Sequence, residues 1–156
     1  MRMATAADTV ALRDLERDAN LAALGHVFPA DRFPFPDEEI LARWRLVLGE
    51  PGVQVLVGED DRGLTCFVAF DATTVRHLAV RPDVWGTGLA RSALAATEER
   101  GRPWRLWCLR DNHRAIGLYE HLGWRRSGRE QQAEWPPYPA ELEFVQPDHP
   151  DSPSRA

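Results

Sequence analysis

Residues 78–90 read Leu-Ala-Val-Arg-Pro-Asp-Val-Trp-Gly-Thr-Gly-Leu-Ala, and this stretch decides how the chain folds. The apolar run that ends at Val80 predicts a β-strand, and Pro82 closes it because proline has no N–H to give to a neighbouring strand. Gly86 and Gly88 allow a tight turn, after which a helical pattern begins. A helix that starts directly after such a turn presents free amide N–H groups, which favours binding of an anion such as a phosphate.

Two common phosphate-binding motifs do not fit this turn. The P-loop requires a lysine after its last glycine, and all nineteen basic residues of the chain are arginine. The dinucleotide-binding fingerprint requires a third glycine where Arg91 stands. The turn therefore predicts an anion site of another kind, with Arg81 and Arg91 near enough in sequence to add positive charge.

Outside this turn, the hydrophobic period switches repeatedly between helix and strand. After a short edge strand over residues 2–5, helices are predicted over residues 8–24 and 37–48, the second with Asp37 as N-cap. An ordered aromatic loop joins them. The later elements are two hairpin strands and a third strand (53–59, 64–70, 74–80), a helix (88–100), a strand (104–109), a helix (112–122) and two strands (124–130, 141–145).

This order predicts an α/β protein, an α+β sandwich with a mixed sheet of about six to seven strands and helices on both faces. We expect antiparallel pairing among the strands of the first half of the sequence and one parallel pair of strands after them. The 156 residues suit a single domain over residues 1–145, followed by a disordered tail over residues 146–156, which lacks large apolar side chains.

Composition excludes several classes of protein. No apolar run approaches the roughly 20 residues of a membrane helix, and the N-terminus lacks the apolar core of a secretion signal, so we expect a cytoplasmic protein without a membrane partner. The net charge of -5 argues against binding of nucleic acid. Cys66 and Cys108 lie in apolar runs typical of buried free thiols, and the histidines lack metal-ligand spacing, so no metal is expected.

A second motif, residues 106–124, completes a family resemblance. Together with residues 78–90, it resembles the two central motifs of the GNAT superfamily, the acetyl-CoA-dependent N-acetyltransferases. Gly88 and Ala90 fill the last two specified places of the family's Arg/Gln-x-x-Gly-x-Gly/Ala loop, whereas Trp85 stands where that loop most often has Arg or Gln. The strand-Asn-x-x-Ala-helix-Tyr-x-x-x-Gly-Phe motif is matched in spacing by Asn112, Ala115, Tyr119, Gly123 and Trp124.

The resemblance implies that acetyl-CoA is the cosubstrate and that an acceptor amine attacks it directly within a ternary complex. It also implies that the β-strand backbone pairs with the pantetheine amides, that the loop amides hold the pyrophosphate, and that Asn112 bonds the pantetheine arm. Tyr119 would act as general acid toward the leaving thiolate. The cofactor contacts so implied are Leu78, Ala79, Val80, Trp85, Gly86, Thr87, Gly88, Leu89, Ala90, Arg91, Asn112, Ala115 and Tyr119.

Several groups are candidates for the general base. The family commonly takes it from the strand before the loop, where His77 is the residue with an ordinary pKa near neutrality. Strand alternation places His77 on the face opposite Leu78 unless a bulge re-aims it. Carboxylates from neighbouring segments are alternatives, as is a water chain that ends in bulk solvent; the carboxylates are Asp31, Glu59, Asp71, Glu141 and Glu143.

The resemblance also indicates which loops frame the acceptor: the aromatic segment after the first helix and the loop between the last two strands. Their candidate substrate-binding residues are Phe28, Asp31, Phe33, Trp135 and Tyr138. The resemblance implies a small-molecule or peptide amine as the acceptor, and it allows a homodimer. Two alternatives remain: a non-catalytic acyl-CoA sensor or regulatory module, and a transferase that uses a longer acyl-CoA.

Overall fold

The three strands predicted in the middle of the chain lie side by side in one mixed sheet. The computed structural model describes residues 1–150 and residue 152. Across the sheet of these residues, the strand order is β1-β2-β3-β4-β5-β7-β6. In chain order, the elements are β1 (Arg2–Met3), α1 (Thr9–Ala23), α2 (Asp37–Gly49), β2 (Gln54–Asp60), β3 (Gly63–Phe70), β4 (Thr74–Val80), α3 (Leu89–Glu98), β5 (Arg105–Leu109), α4 (His113–His121), β6 (Arg125–Gln132) and β7 (Ala140–Val145).

The two faces of the sheet carry different helices, which confirms the predicted α/β architecture. Helices α1 and α2 cover one face of β2, β3 and β4, where Trp44 is fully buried against Phe67. Helices α3 and α4 cover the other face, with a core that includes Phe70 and Phe144. Burial of these two apolar layers is the main driving force for the fold.

The sheet opens between β4 and β5, and this opening positions the site. These strands run parallel, but their register contains two pairs, Thr74 with Arg105 and Val75 with Leu106. Beyond them the strands diverge, so the β4 segment from Leu78 to Val80 pairs with β3 and has no β5 partner. Its free edge can form hydrogen bonds with an added extended chain.

Some local expectations differ from the structure. The predicted cap Asp37 is the first residue of α2, after Pro36, and its carboxylate accepts a hydrogen bond from Arg17 at 3.1 Å. The edge strand ends at Met3, because the chain turns at Thr5, whose backbone N–H donates to the Asp8 carboxylate at 2.8 Å.

The segment after β7 makes contacts at its beginning. The backbone N–H of Gln146 donates to the carbonyl of Trp104 at 2.8 Å, and the His149 ring stacks on Trp104 with centroids 6.3 Å apart. Of the predicted disordered tail, residues 151 and 153–156 lie outside the described residues. None of the helices in the described part of the chain is long and apolar enough to span a bilayer.

Candidate active site

Two cavities meet beside Tyr119. The aromatic cavity, of about 1080 Å³, lies against α1, α2, β4, β5 and the β6–β7 loop. The loop cavity, of about 360 Å³, lies between the end of β4, the glycine-rich turn, α3 and α4. Residues of the opened sheet and of α1 and α4 line both cavities: Asn20, Leu24, Leu78, Ala79, Asn112, Ala115 and Tyr119. The two spaces are therefore neighbours that share one wall.

The glycine-rich turn presents backbone to the loop cavity. Gly86 and Gly88 have φ of 79° and 86°, which side-chain-bearing residues rarely adopt, and Gly88 is the N-cap of α3. A Cβ atom added at either glycine would meet nothing within 4 Å, so open space lies in front of the backbone. The first amides of α3 have no acceptor within the helix, which suits an anion. The Thr87 hydroxyl instead donates to the carbonyl of Val84, and Thr87 does not line the cavity.

Trp85, which departs from the family's loop pattern, is fixed in place by two contacts. Its indole Nε1 donates to the carbonyl of Val80 at 2.7 Å, which occupies one lone pair of that oxygen. The guanidinium of Arg114, in the first turn of α4, lies 4.2 Å from the centroid of the indole ring. This cation–π contact holds a positive charge at the edge of the loop cavity, which both residues line.

Sequence reasoning missed Arg114. Within the described residues its guanidinium has no carboxylate partner, so its charge is available to an anion. The sequence could have indicated Arg114 as a cofactor contact, because it lies two residues after Asn112 in the second motif. The contact with Trp85 spans 29 residues, and neither motif alone indicates it.

The two arginines that flank the turn differ in what they contact. Arg81 pairs with Asp60 at 2.6 Å and with Asp83 at 2.5 Å, and these bonds raise its pKa. The positive charge of Arg81, expected to lie at the anion site, is therefore neutralised by two aspartates of the fold. Arg91 is exposed, lines the loop cavity and makes no ion pair within the described residues.

Asn112 and Tyr119 are both oriented by α4. Asn112 is the N-cap of the helix, and its Oδ1 accepts a hydrogen bond from the Ala115 N–H at 3.2 Å, which leaves the side-chain NH₂ free to donate. Tyr119 is buried, with Trp124 and Phe144 rings 6.2 and 5.9 Å away. Burial, with a smaller effect of Cys108, raises the pKa of Tyr119, so its phenol keeps its proton at neutral pH.

His77 lies on the α1–α2 face of β4, as strand alternation predicts. A register shift opposite Ala69 and Phe70 leaves Arg76 as an extra residue, so Val75 and His77 face opposite sides. The His77 ring lines the aromatic cavity and meets Trp44 edge-on, with centroids 5.5 Å apart. Burial, then the charges of Arg43 and Arg76, lower its pKa to about 3. His77 is therefore neutral at pH 7 and a weak proton acceptor.

Among the candidate carboxylates, Glu141 lines the aromatic cavity. Its Oε2 accepts a hydrogen bond from Gln131 Nε2 at 2.7 Å. The other four do not line either cavity. Glu59 is held by Arg2, Asp71 by Thr73 and Arg76, and the buried Glu143 by Ser127, whereas Asp31 is exposed.

The predicted acceptor residues separate into two groups. Phe28, Phe33 and Trp135 line the aromatic cavity, joined there by Phe35 of the same aromatic segment. Asp31 and Tyr138 lie outside the lining, and 53% of Tyr138 is exposed. No cluster of three or more metal-ligating side chains occurs in the described part of the chain.

Residues 11–124 match the acetyltransferase (GNAT) family. No curated protein matches the chain in sequence. A GCN5-related N-acetyltransferase from Rhodopseudomonas palustris is similar in structure, with a TM-score of 0.73, 13% identity, and coverage of 93% of this chain and 92% of the other.

Two further similar structures contain coenzyme A or its acetyl form. The structure of yncA from Salmonella typhimurium with its cofactor acetyl-CoA has a TM-score of 0.64 and 21% identity, and covers 99% of this chain and 97% of the other. The paia N-acetyltransferase from Thermoplasma acidophilum, in complex with coenzyme A, has a TM-score of 0.66 and 14% identity, with coverage of 92% and 96%. With the family match over residues 11–124, the chain belongs to the GNAT family of acetyltransferases.

Proposed function

We propose that this GNAT acetyltransferase transfers the acetyl group of acetyl-CoA to a primary amine by direct attack within a ternary complex. The observation that carries the proposal is the position of Tyr119, which lines both cavities. A single phenol can then reach the leaving group in one cavity and the product nitrogen beside it. Such contact with both reactants is what proton transfer in one complex requires.

The residues of the loop cavity fit coenzyme A. The amides of the turn and of α3, with Arg91 and Arg114, would hold the pyrophosphate and phosphate groups. The free edge of β4 from Leu78 to Val80 would pair with the pantetheine amides, and the NH₂ of Asn112 would donate to the same arm. Complexes of two similar structures, one with acetyl-CoA and one with coenzyme A, support this assignment.

Acetyl-CoA would supply the thioester whose C–S bond breaks as the amine nitrogen bonds to the acetyl carbon. Tyr119 gives its phenol proton to the departing sulfur, and the tyrosinate then recovers a proton from the newly acylated nitrogen. Because burial raises the pKa of Tyr119, the phenol starts the cycle protonated and the tyrosinate is a strong base for its recovery. The attacking ammonium first loses one proton, so each turnover releases one proton to solvent.

Direct attack is favoured because neither thiol is suited to a covalent step. Burial raises the pKa of Cys108 to about 12, so little thiolate forms near neutral pH. Cys66 is also buried, with a raised pKa, and lines neither cavity. Replacing both cysteines with alanine is expected to leave acetyl transfer measurable, whereas loss of all transfer in a folded double variant would favour an acyl-enzyme.

The direct test mixes the protein with acetyl-CoA and a panel of primary amines and follows both products. Release of CoA thiol in equal amount to N-acetylated amine supports the proposal. Binding of acetyl-CoA without thiol release from any amine would instead favour the sensor alternative. Competition between acetyl-CoA and longer acyl-CoAs measures the acyl-chain preference, because a transferase for longer chains would prefer them.

A further inference from the structure

We infer that the aromatic cavity selects a primary amine that is joined through a short chain to a flat aromatic ring. The inference rests on the proposed function and names its substrate class. Two features of the cavity carry it: partly exposed aromatic rings without a ring partner, and a carboxylate without an arginine partner on the side of β7.

The first feature is a set of aromatic side chains that belong to no ring cluster. Phe28 and Phe33 come from the segment between α1 and α2. Trp135 comes from the β6–β7 loop, which is distant from them in sequence. All three are partly exposed, and within the described residues none pairs with another aromatic ring. Phe33 contacts a cation, the guanidinium of Arg32, 5.7 Å from its centroid.

These partly exposed rings differ from the buried rings beside the cavity. Trp44 and Phe67, the second of which also lines the cavity, are fully buried and already form an edge-to-face pair at 4.9 Å. Phe28, Phe33 and Trp135 have no ring partner among the described residues, although Arg32 lies over the Phe33 ring and Trp135 packs partly against the α1–α2 core. The Phe28 ring and the exposed parts of the other two rings are left for a ligand. Aromatic pairs gain about 0.5–1.5 kcal/mol beyond the area they bury, which makes a flat ring a better occupant than an aliphatic body.

The second feature is Glu141 at the opened end of the sheet. Glu141 pairs in register with Leu109, the last residue of β5, and neighbouring Leu142 and Cys108 belong to the core on the α3–α4 face. Strand alternation therefore puts Glu141 on the α1–α2 face, the side of the aromatic cavity that it lines. The side chain of Gln131 donates to it at 2.7 Å and orients it.

The remaining charges of the cavity support a cationic ligand. Glu16 is held by Arg43 and Trp44, and Glu50 by Arg76. Among the described lining residues, the carboxylates without an ion pair are those of Glu134 and Glu141. The one guanidinium without an ion pair in the same described lining is that of Arg32, so unpaired negative charge exceeds unpaired positive charge. An ammonium group is the matching charge, and a volume of about 1080 Å³ leaves room for a ring-bearing body.

Glu141 then has a defined role in the reaction. Its carboxylate holds the ammonium group of the acceptor and accepts one proton from it, and the neutral nitrogen left behind can attack the acetyl carbon. The protonated Glu141 returns that proton to solvent after the product leaves. His77, which faces the same cavity, is too weak a base for this step, and the paired Glu16 and Glu50 are already neutralised by arginine.

The test measures amine binding without turnover. Calorimetry on the protein saturated with CoA, and on the free protein, compares 2-phenylethylamine with 2-cyclohexylethylamine and n-butylamine. We expect 2-phenylethylamine to bind about tenfold more tightly than its cyclohexyl analogue. Glu141→Gln should weaken 2-phenylethylamine binding by about tenfold or more while acetyl-CoA affinity stays unchanged.

The matched control is Glu130→Gln, a carboxylate one residue from Gln131 that pairs with exposed Arg110 and lines neither cavity. It should bind 2-phenylethylamine like the wild type. Phe28→Leu, which keeps an apolar side chain of similar size, should reduce the preference for the aromatic amine over the cyclohexyl one. Equal affinity for the two amines, or unchanged binding in Glu141→Gln, would overturn the inference.

Binding and turnover together separate the inference from the function on which it rests. Tight binding of 2-phenylethylamine, without acetylation of this or any other amine of the panel, supports the ligand class and contradicts the proposed reaction. Acetylation that favours n-butylamine supports the reaction and contradicts the substrate class.

Discussion

The loop cavity and the aromatic cavity share a wall but are built in different ways. The loop cavity is formed largely by main chain: the free edge of β4, two glycines with positive φ and the first amides of α3. The aromatic cavity is formed by side chains that come from positions as far apart as Glu16 and Glu141. Main-chain sites depend on local conformation, which short motifs specify, whereas side-chain sites depend on how distant segments pack.

This difference has a functional consequence. In the proposed reaction, the backbone site would bind groups that every acyl-CoA carries, such as phosphates and amides, and would set the class of the donor. The side-chain site can vary without disturbing the fold, so it would set the acceptor. Substitutions that alter only one of the two cavities should therefore leave ligand binding in the other unchanged.

The largest effect is expected from Gly88→Trp. The residue would take φ of 86° with a bulky side chain and would fill the space before the loop amides. Loss of two hydrogen bonds to phosphate weakens acetyl-CoA binding by at least about 100-fold. Calorimetry measures the affinity. Gly63→Trp, at a hairpin glycine with φ of 122° and open space around it, controls for backbone strain and should bind acetyl-CoA like the wild type. Equal losses of acetyl-CoA affinity in both variants would contradict the assignment of the loop cavity.

The next largest effect is expected from Tyr119→Phe. Removal of the proton donor should lower kcat by about 100-fold with little change in the KM for acetyl-CoA, because general acid–base groups contribute about 10²- to 10⁴-fold. The chain has two tyrosines, so Tyr138→Phe is a matched control at an exposed position outside both cavities. A wild-type kcat in Tyr119→Phe would remove Tyr119 from the mechanism.

A smaller effect is expected from Arg114→Ala. Loss of the guanidinium that rests on Trp85 should weaken acetyl-CoA about tenfold, the value of one charge-assisted hydrogen bond. A pantetheine thioester without phosphates should bind this variant and the wild type equally. Arg62→Ala, an exposed arginine paired with Asp83, is the control. Equal loss for both thioesters would show that Arg114 acts through the fold and not through phosphate.

The smallest effect is expected from His77→Gln. The folded-state pKa of about 3 lies below the ordinary 6.5, so the unfolded chain takes up this proton first as pH falls. Wild-type stability supplied by the neutral ring is complete above pH 6.5 and declines below it, by about 1 kcal/mol at pH 5.5. Urea unfolding at pH 7.5 and 5.5 should show a smaller decline in the variant. A kcat reduced about 100-fold would instead identify His77 as the base.

Local patterns were sufficient for most of the fold. The third strand was predicted over the residues that β4 occupies, and the helix of the second motif was placed within one residue at each end. The extra residue Arg76 was not predicted, because no glycine or proline marks that bulge. Asp37 was expected to cap α2, but its carboxylate contacts Arg17, on another helix.

In the candidate site, too, local motifs predicted some residues and contacts between distant segments decide the others. The glycines and Tyr119 follow from motifs, while the contact of Arg114 with Trp85 and the approach of Glu141 to the opened strands depend on tertiary packing. Within one loop, Phe28 and Phe33 line the cavity and Asp31 does not. Loops lack the fixed periodicity that tells which side chains face inward, so composition alone could not separate these residues.

The central claim is that the two cavities act together in one acetyl transfer. The most direct measurement incubates the protein with acetyl-CoA and 2-phenylethylamine and quantifies CoA thiol and N-acetylated amine in the same sample, beside controls that omit either substrate. The proposed mechanism predicts both products in equal amounts, and only when both substrates are present. Acetyl-CoA binding without any thiol release, with this amine and with the whole amine panel, would contradict it.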